Sequence, residues 1–159
     1  MEGGDLWTVD CLAARILETP EIEGVTLMGG EPFAQARACA DLCEVVKEHD
    51  LSVMVFTGYT LEELTESSDG AWARLLAAVD LLVDGRYERD RPERRRRWIG
   101  SANQKVCFLS DRYAPNDPQF EEPNSVEIRL DGRGGLQVNG WPELAARLAS
   151  RAQPGGDNR

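Results

Sequence analysis

Four short groups of glycine and polar residues in this sequence have the types and the spacing to bind a ligand. The first group, Gly29-Gly30-Glu31-Pro32, follows the run VTLM and precedes a helical pattern. Two glycines allow a sharp turn and a close approach of a ligand to the main chain. Glu31 adds an anionic acceptor suited to an ammonium group, and Pro32 fits the first turn of a helix. The same tetrapeptide is also typical of an ordinary strand-to-helix turn, and alone it does not decide between the two.

The other three groups lie farther along the chain. Thr57 and Gly58 follow the apolar run LSVMVF, Asp84 and Gly85 follow the run LLV, and residues 100–104 are GSANQ. Alternation of strands and helices predicts an α/β fold with a parallel sheet and right-handed crossovers. The carboxyl ends of parallel strands lie at one edge of a sheet. The polar groups that follow the first three strands are therefore expected to meet there and to form a ligand site.

Apolar periodicity and capping signals predict the elements that position these groups. Thr8 is a predicted N-cap, residues 60–63 form a predicted capping box, and Pro20 ends the first helical pattern. The predicted elements, in chain order, are a helix from Thr8 to Glu18, a strand over Val25–Met28, a helix from Phe33 to Lys47, a strand over Ser52–Phe56, a short helix after Thr60, a helical face from Trp72 to Val79 and a strand over Leu81–Val83.

The chain changes character after the third strand. Arg86–Arg97 is rich in arginine, and it is either a solvated loop or a basic patch that faces an anionic ligand or an acidic partner. The proline-containing stretch 113–124 is typical of a linker. Beyond it, the patterns predict a hairpin of Ser125–Leu130 with Leu136–Val138 around a turn at Asp131–Gly135, a helix over Pro142–Ala149, and a disordered tail at Gln153–Arg159.

Composition limits the class of protein. The 159 residues are enough for a domain with a hydrophobic core, and 42% of them are hydrophobic. The net charge of −10 argues against a general nucleic-acid or membrane-surface binder. No apolar run in the sequence approaches the roughly 18 residues of a membrane span, and we expect no export signal at the N-terminus. We therefore expect a cytoplasmic protein that binds neither nucleic acid nor membrane.

The four cysteines are expected to be free and to act as small buried hydrophobes. Cys39 and Cys43 fall on one predicted helical stripe with Leu42 and Val46. A helical Cys-x3-Cys is a poor match to an iron–sulfur cluster loop, whose thiolates converge from a turn. The single histidine, His49, is expected to be solvated at a helix end.

Taken together and in order, the blocks VTLMGGEPFAQ, LSVMVFTGYTLEEL, DLLVDGRY and GSANQ resemble the radical S-adenosylmethionine (SAM) enzymes, in particular the activating proteins of anaerobic ribonucleoside-triphosphate reductase. The resemblance runs from about Asp5 to about Tyr113. It implies a partial (β/α) barrel with a parallel sheet. It also implies SAM as cofactor, a [4Fe–4S] cluster, the reductase as partner and an electron donor such as flavodoxin. The implied reaction cleaves SAM and leaves a glycyl radical on the reductase.

The resemblance also implies roles for ten residues. Gly29, Gly30, Glu31 and Pro32 would hold the methionyl amino group of SAM. The rest of the implied site consists of Thr57, Gly58 and Asp84, which would line the cavity, and Ser101, Asn103 and Gln104, which would close it.

One departure from the family pattern is decisive for activity. The family holds its cluster with a Cys-x3-Cys-x2-Cys loop, and no such triplet exists in this sequence. The chain is then a fragment, a product of a misassigned start, or a relative that lost the cluster. We expect residues 1–113 to be a core lacking its N-terminal strand, residues 114–152 to be an extension with a small hairpin and helix, and residues 153–159 to be a tail. With this sequence alone, the chain is expected to be inactive in radical generation.

Two other classes of protein are open alternatives. The chain is alternatively a non-catalytic SAM- or nucleotide-binding or interaction module derived from the same family. It is otherwise a plain α/β binding domain in which residues 29–32 are only a turn.

Overall fold

The computed structural model of the chain describes residues 6–93, 95–121, 126–130 and 136–140. The chain divides into two compact units. The first unit consists of Met1–Glu93 with Ile99–Asp117, and the second of Arg94–Trp98 with Pro118–Arg159. The expected boundary between residues 113 and 114 stays a prediction.

The first unit contains alternating helices and strands. Its elements are α1 (Val9–Leu17), β1 (Gly24–Leu27), a 3₁₀ turn (Pro32–Gln35), α2 (Ala36–Glu48), β2 (Ser52–Phe56), α3 (Leu61–Glu66), α4 (Gly70–Ala78), β3 (Leu81–Asp84) and β4 (Lys105–Phe108). Within the described ranges, no helix has the length and apolar character needed to cross a membrane.

The four strands form one sheet in the order β1-β2-β3-β4. The pairs β1–β2 and β2–β3 are parallel, with Val25 opposite Val53 and Val55 opposite Leu82. The prediction of a parallel sheet is therefore confirmed for three strands. The sequence made no prediction for the direction of β4. This strand runs antiparallel to β3, because the connection from Gly85 to Gln104 returns the chain to the end of the sheet at which β3 ends. The fold is a mixed α/β fold with a mostly parallel sheet.

Local capping predictions are confirmed. The Thr8 side chain accepts a hydrogen bond from the Cys11 amide and caps α1. Thr60 and Glu63 form the predicted capping box at the start of α3, with each side chain accepting from the other residue's amide. The predicted helix from Phe33 begins as a 3₁₀ turn and becomes an α-helix only at Ala36.

The core lies between the helices and the sheet. Phe33, Val46 and Leu75 are fully buried against Val53 and Val55 of β2. On the other side of β2, Met54 and Phe56 are only half-buried. The helices therefore pack against the face of β2 that carries the two valines.

The cysteines only partly follow the prediction. Cys43 is buried, Cys39 and Cys107 are half-buried, and Cys11 is exposed on α1, so the prediction of burial is wrong for Cys11. Burial, assisted by the charges of Cys39 and Glu44, raises the pKa of the Cys43 thiol to about 12. His49 is exposed at the C-cap of α2, as predicted, and its Nδ1 lies 2.9 Å from the Val45 carbonyl oxygen.

The second unit contains the predicted hairpin. Its described elements are α5 (Pro118–Glu121), β5 (Val126–Leu130) and β6 (Leu136–Gly140), and β5 pairs antiparallel with β6 with Ile128 opposite Val138 in the register. Part of the stretch expected to be a linker is thus the short helix α5. The predicted turn at 131–135, the helix at 142–149 and the tail at 153–159 lie outside the described residues.

A buried carboxylate stabilises the amino edge of the sheet, where the parallel strands begin. The polar groups that follow the strands lie at the opposite, carboxyl edge, where these strands end. The Asp80 side chain is fully buried and accepts hydrogen bonds from Lys47 Nζ at 2.6 Å, from the Val53 amide at 2.9 Å and from the Ser110 hydroxyl. Burial alone would raise the pKa of Asp80, but these bonds outweigh that effect and lower it. The interaction joins α2, β2 and the segment after β4 to the start of β3.

Asp80→Ala should therefore destabilise the fold by about 2–4 kcal/mol, because it leaves the Val53 amide and the Lys47 ammonium without their acceptor. Since the folded-state pKa is lowered, the stabilisation is complete at neutral pH. It should fall as the pH drops below the usual aspartate pKa of about 3.9. Urea unfolding of both proteins at several pH values measures this. Asp41→Ala, which removes an exposed partner of Arg74, is the control and should cost less than about 1 kcal/mol. Equal losses for the two variants would contradict the role of Asp80.

Candidate functional site

The carboxylate of Glu31 joins two strand ends at the carboxyl edge of the sheet. Its Oε1 accepts from Thr57 Oγ1 at 2.8 Å and from the Phe33 amide at 3.1 Å. Its Oε2 accepts from the Gly58 amide at 2.8 Å. Residues that the sequence predicted to meet therefore do meet. The carboxylate, however, is already bound by three donors of the chain, so Glu31 shapes the site rather than presenting a free acceptor.

The turn that Glu31 fixes exposes main chain. Gly29 and Gly30 are both exposed and have φ angles of +85° and +57°, a conformation that residues with a Cβ rarely adopt. A Cβ built on either glycine would meet no atom within 4 Å. The space over this turn is open, so a ligand could contact the main chain of both residues directly.

Asp84 is buried at the end of β3 and is likewise occupied by the chain. Its Oδ2 accepts from the Leu61 amide at 3.0 Å, in the first turn of α3, and its Oδ1 accepts from the Lys105 amide at 3.2 Å, at the start of β4. The next residue, Gly85, has a φ of +94° and donates its amide to the Tyr59 carbonyl at 2.8 Å. Asp84 therefore connects neighbouring elements at the same edge as Glu31.

Ser101 and Gln104 form a buried polar network that closes the loop between β3 and β4. Gln104 Oε1 accepts from the amides of Gly100 and Ser101, each at 3.1 Å, and its Nε2 donates to the Gly85 carbonyl at 2.9 Å. Ser101 Oγ accepts from the Glu88 amide at 3.0 Å. These two side chains hold together the ends of the arginine-rich loop.

Asn103 differs from its neighbours because one of its polar atoms has no partner. Its Nδ2 donates to the Arg86 carbonyl at 2.7 Å, which fixes the orientation of the amide. Its Oδ1 is buried and, in the described part of the chain, is the one buried side-chain polar atom without a hydrogen bond. A buried acceptor left unpaired costs roughly 1–3 kcal/mol. The atom therefore suits a hydrogen-bond donor from a ligand.

Three residues at this edge were not singled out from the sequence as site residues. Met28 is 69% exposed just before Gly29, where the predicted strand Val25–Met28 instead ends at Leu27. Tyr87 is 62% exposed after β3, and its ring lies 3.1 Å from the Cβ position of Gly100. Arg86 Cγ lies 3.8 Å from the Cβ position of Gly58. The sequence contained a signal that could have identified Arg86 and Tyr87 as site residues, because both directly follow Asp84-Gly85 in DLLVDGRY.

The cysteines of the chain do not fit an iron–sulfur cluster. All four lie in the described residues, on α1, α2 and β4, and none follows a strand at the carboxyl edge. Burial also raises the pKa of Cys39, Cys43 and Cys107, which disfavours the thiolate that iron requires. Across the described ranges, no three His, Cys, Asp or Glu side chains are grouped so that they could hold a metal ion.

Glu31→Ala should loosen the carboxyl edge, because three donors lose their acceptor. We expect a stability loss of about 1–3 kcal/mol and faster amide hydrogen exchange at Gly58 in particular. Exchange measured by NMR, together with urea unfolding, tests both effects. Glu48→Ala, at an exposed position near the end of α2, is the matched control. Unchanged protection of the Gly58 amide in Glu31→Ala would show that the carboxylate does not hold this edge.

A family model and several individual proteins are similar to this chain, and the two kinds of comparison agree. A family described as "4Fe-4S single cluster domain" matches residues 1–107. The anaerobic ribonucleoside-triphosphate reductase-activating protein of Pasteurella multocida (strain Pm70) is 40% identical over 89 residues, covering 53% of this chain and 54% of that protein. The protein of that name from Vibrio cholerae serotype O1 is 37% identical over 87 residues, covering 52% and 54%. The one from Enterobacteria phage T4 is 31% identical over 114 residues, covering 68% and 69%.

The extent of these matches decides what they establish. The chain spans about half the length of the first two relatives, and no solved structure matches it significantly. The family match nevertheless covers most of the chain, and the phage T4 match covers more than two thirds of both proteins. The chain therefore belongs to the 4Fe-4S single cluster domain family and to the family of anaerobic ribonucleoside-triphosphate reductase-activating proteins.

Proposed function

We propose that this chain binds SAM at the carboxyl edge of its sheet, as part of a protein that generates a glycyl radical on anaerobic ribonucleotide reductase. The observation that carries the proposal is the Glu31 carboxylate. It holds the exposed Gly29–Gly30 turn beside Thr57 and Gly58 at the strand ends. The partner in this proposal is the reductase in the names of the relatives. The proposal also includes an electron donor such as flavodoxin.

The ten predicted residues divide into two roles in this proposal. Carbonyl oxygens of the Gly29–Gly30 turn accept from the methionyl ammonium of SAM, and Glu31 adds negative potential while its hydrogen bonds keep the turn in place. Asn103 Oδ1 accepts from a further donor of the ligand. The remaining residues position these groups. Pro32 does so by fixing the backbone at the start of the 3₁₀ turn. The others act through the hydrogen bonds described above: Thr57, Gly58, Asp84, Ser101 and Gln104. SAM, when bound, is the source of the deoxyadenosyl radical in this chemistry.

The sheet is compatible with part of a (β/α) barrel, which we include in the proposal. Its first three strands are parallel and neighbouring in chain order, as barrel strands are. The side of β2 away from the helices carries Met54 and Phe56, which are half-buried and suited to a barrel interior. That the site lies at the carboxyl ends of the strands agrees with this architecture.

The cysteines present favour a second candidate function for the chain. Because they do not fit a cluster, the described residues provide no route for the electron that SAM cleavage requires. A non-catalytic SAM-binding module derived from this family, or a nucleotide-binding or interaction module, is consistent with the same site. Both candidate functions include ligand binding at the Gly29–Gly30 turn. They differ in whether the protein holds iron and whether it cleaves SAM.

SAM binding can be tested through the glycine turn. Gly30→Ala places a methyl group in the open space over the turn and strains a left-handed residue by roughly 1–2 kcal/mol. We expect at least a tenfold loss of SAM affinity by calorimetry, equal to about 1.4 kcal/mol. Gly70→Ala is the control, because its Cβ also meets no atom within 4 Å and Gly70 lies on α4. Equal SAM affinity for both variants would contradict binding of SAM at the Gly29–Gly30 turn. No binding of SAM by the unmodified chain would contradict the proposed function.

Iron content separates the two candidate functions. After anaerobic reconstitution with iron and sulfide, the unmodified chain should hold well under the roughly four irons per chain of a complete cluster. Iron and sulfide analysis of the desalted protein measures this. The control is the double variant Cys39→Ala, Cys43→Ala, which should give the same low value. A full cluster that is lost in this variant would overturn the assignment of these cysteines to helix packing.

A further inference from the structure

We propose that Arg97 and Trp98 are positioning residues of the candidate site, because they hold the connection between β3 and β4 to the short helix α5. The inference rests on the proposed function, since Ser101, Asn103 and Gln104 of this connection belong to the proposed SAM site. It gives a role to part of the arginine-rich stretch that the proposed function leaves unused.

The two halves of the connection pair with each other. The Ala102 amide donates to the Arg91 carbonyl at 2.7 Å, and the Glu93 amide donates to the Gly100 carbonyl at 3.2 Å. An antiparallel bridge joins the residues that lie between these two bonds. The connection is therefore a hairpin-like loop whose tip lies between Glu93 and Gly100.

The second half of this loop fixes the residues that follow β3. The Ser101 hydroxyl accepts from the Glu88 amide at 3.0 Å, and Gln104 Nε2 donates to the Gly85 carbonyl at 2.9 Å. Asn103 lies between these two side chains, and its buried Oδ1 has no hydrogen bond within the described residues. A shift of this half of the loop would therefore move both the main chain after β3 and the Asn103 oxygen.

The tip of the loop is attached to α5 by contacts of two neighbouring side chains. Arg97 Nη1 donates to the Gln119 carbonyl at 2.8 Å, and Arg97 Cζ lies 4.8 Å from the centroid of the Trp98 ring. The Trp98 ring meets the Phe120 ring edge-to-face, with 5.3 Å between the centroids. All four residues belong to the second unit, whereas both paired halves of the loop belong to the first.

The chain returns to the first unit at a residue with a constrained backbone. Trp98 has a φ of +63°, a left-handed conformation that is rare for a bulky side chain and persists only where the surroundings fix it. Its ring is fixed by Phe120, and the side chain of the next residue, Ile99, is 3% exposed. This part of the arginine-rich stretch is thus held on both sides, which argues against a merely solvated loop.

A held loop and a loose loop differ in what ligand binding costs. Where the loop carries site residues and is loose, the ligand must order it, and the lost conformational entropy weakens binding. Contacts between the tip and α5 supply that order before the ligand arrives. Arg97 and Trp98 therefore act on the ligand through Ser101, Asn103 and Gln104, without touching it themselves.

Amide hydrogen exchange without ligand, measured by NMR, tests whether α5 holds the loop. Trp98→Ala and Phe120→Ala remove the same ring contact from opposite sides. Each should speed exchange of the Ala102 amide by at least about tenfold, because the paired halves then open more often. The Val53 amide, which donates to Asp80 in the sheet, should keep its exchange rate.

SAM affinity, measured by calorimetry, tests whether this order matters to the ligand. Trp98→Ala and Phe120→Ala should bind SAM at least about fivefold more weakly than the unmodified chain, and Arg97→Ala should show a smaller loss. Trp98→Phe keeps an aromatic ring toward Phe120 and should retain most of the affinity. Trp7→Ala is the matched control, because Arg15 Cζ lies 5.3 Å from the centroid of the Trp7 ring, outside the loop. It should change neither the exchange rates nor the affinity.

The outcomes separate this inference from the proposed function. Unchanged exchange of the Ala102 amide in both alanine variants overturns the inference. A parallel rise at Val53 also overturns it, because Trp98 would then only stabilise the fold, and so does faster exchange at Ala102 with unaltered SAM affinity. If the unmodified chain binds no SAM, the proposed function falls, and the exchange rates alone decide whether Arg97 and Trp98 position the loop.

Discussion

The carboxyl edge of the sheet depends on one carboxylate that three donors share. Gly29 and Gly30 have no side chains that could fix their conformation by packing, and the space over them is open. Their turn is held instead by the residue that follows it, because Glu31 binds the end of β2 through Thr57 and Gly58. Hydrogen bonds to a charged group are worth roughly 1.5–3 kcal/mol each. A single side chain thus keeps an otherwise unsupported stretch of main chain exposed in one shape.

The same principle recurs along this edge. Asp84 accepts main-chain amides from α3 and β4, and Gln104 both accepts from and donates to the main chain of two loop segments. Polar side chains at the strand ends therefore hold the main chain in place, while the Gly29–Gly30 turn is open to solvent and Asn103 Oδ1 has no hydrogen bond within the described residues. The sequence interpretation gave several of these side chains a direct role toward the ligand. The contacts give them a positioning role.

What the sequence predicted well was local. The capping box at Thr60 and the hairpin of β5 with β6 depend on residues a few positions apart, and β2 was placed at its observed bounds. The direction of β4 was not predicted because it depends on where a loop of about twenty residues returns, which propensity does not encode. The exposure of Cys11 and the partners of Glu31 were missed for a similar reason. Both are set by tertiary neighbours rather than by spacing in the chain.

The amino and carboxyl edges of the sheet differ in what their polar groups contact. At the amino edge, Asp80 is fully buried and satisfied by Lys47, Val53 and Ser110, so this cluster contributes stability and presents nothing to a ligand. At the carboxyl edge, the carboxylates of Glu31 and Asp84 are also satisfied, but the Gly29–Gly30 turn is exposed and Asn103 Oδ1 has no hydrogen bond within the described residues. The cysteines belong to neither arrangement, since they lie on helices and on β4 away from the Gly29–Gly30 turn. The contacts that hold the Gly29–Gly30 turn are thus made by Glu31, Phe33, Thr57 and Gly58, and they involve none of the four cysteines.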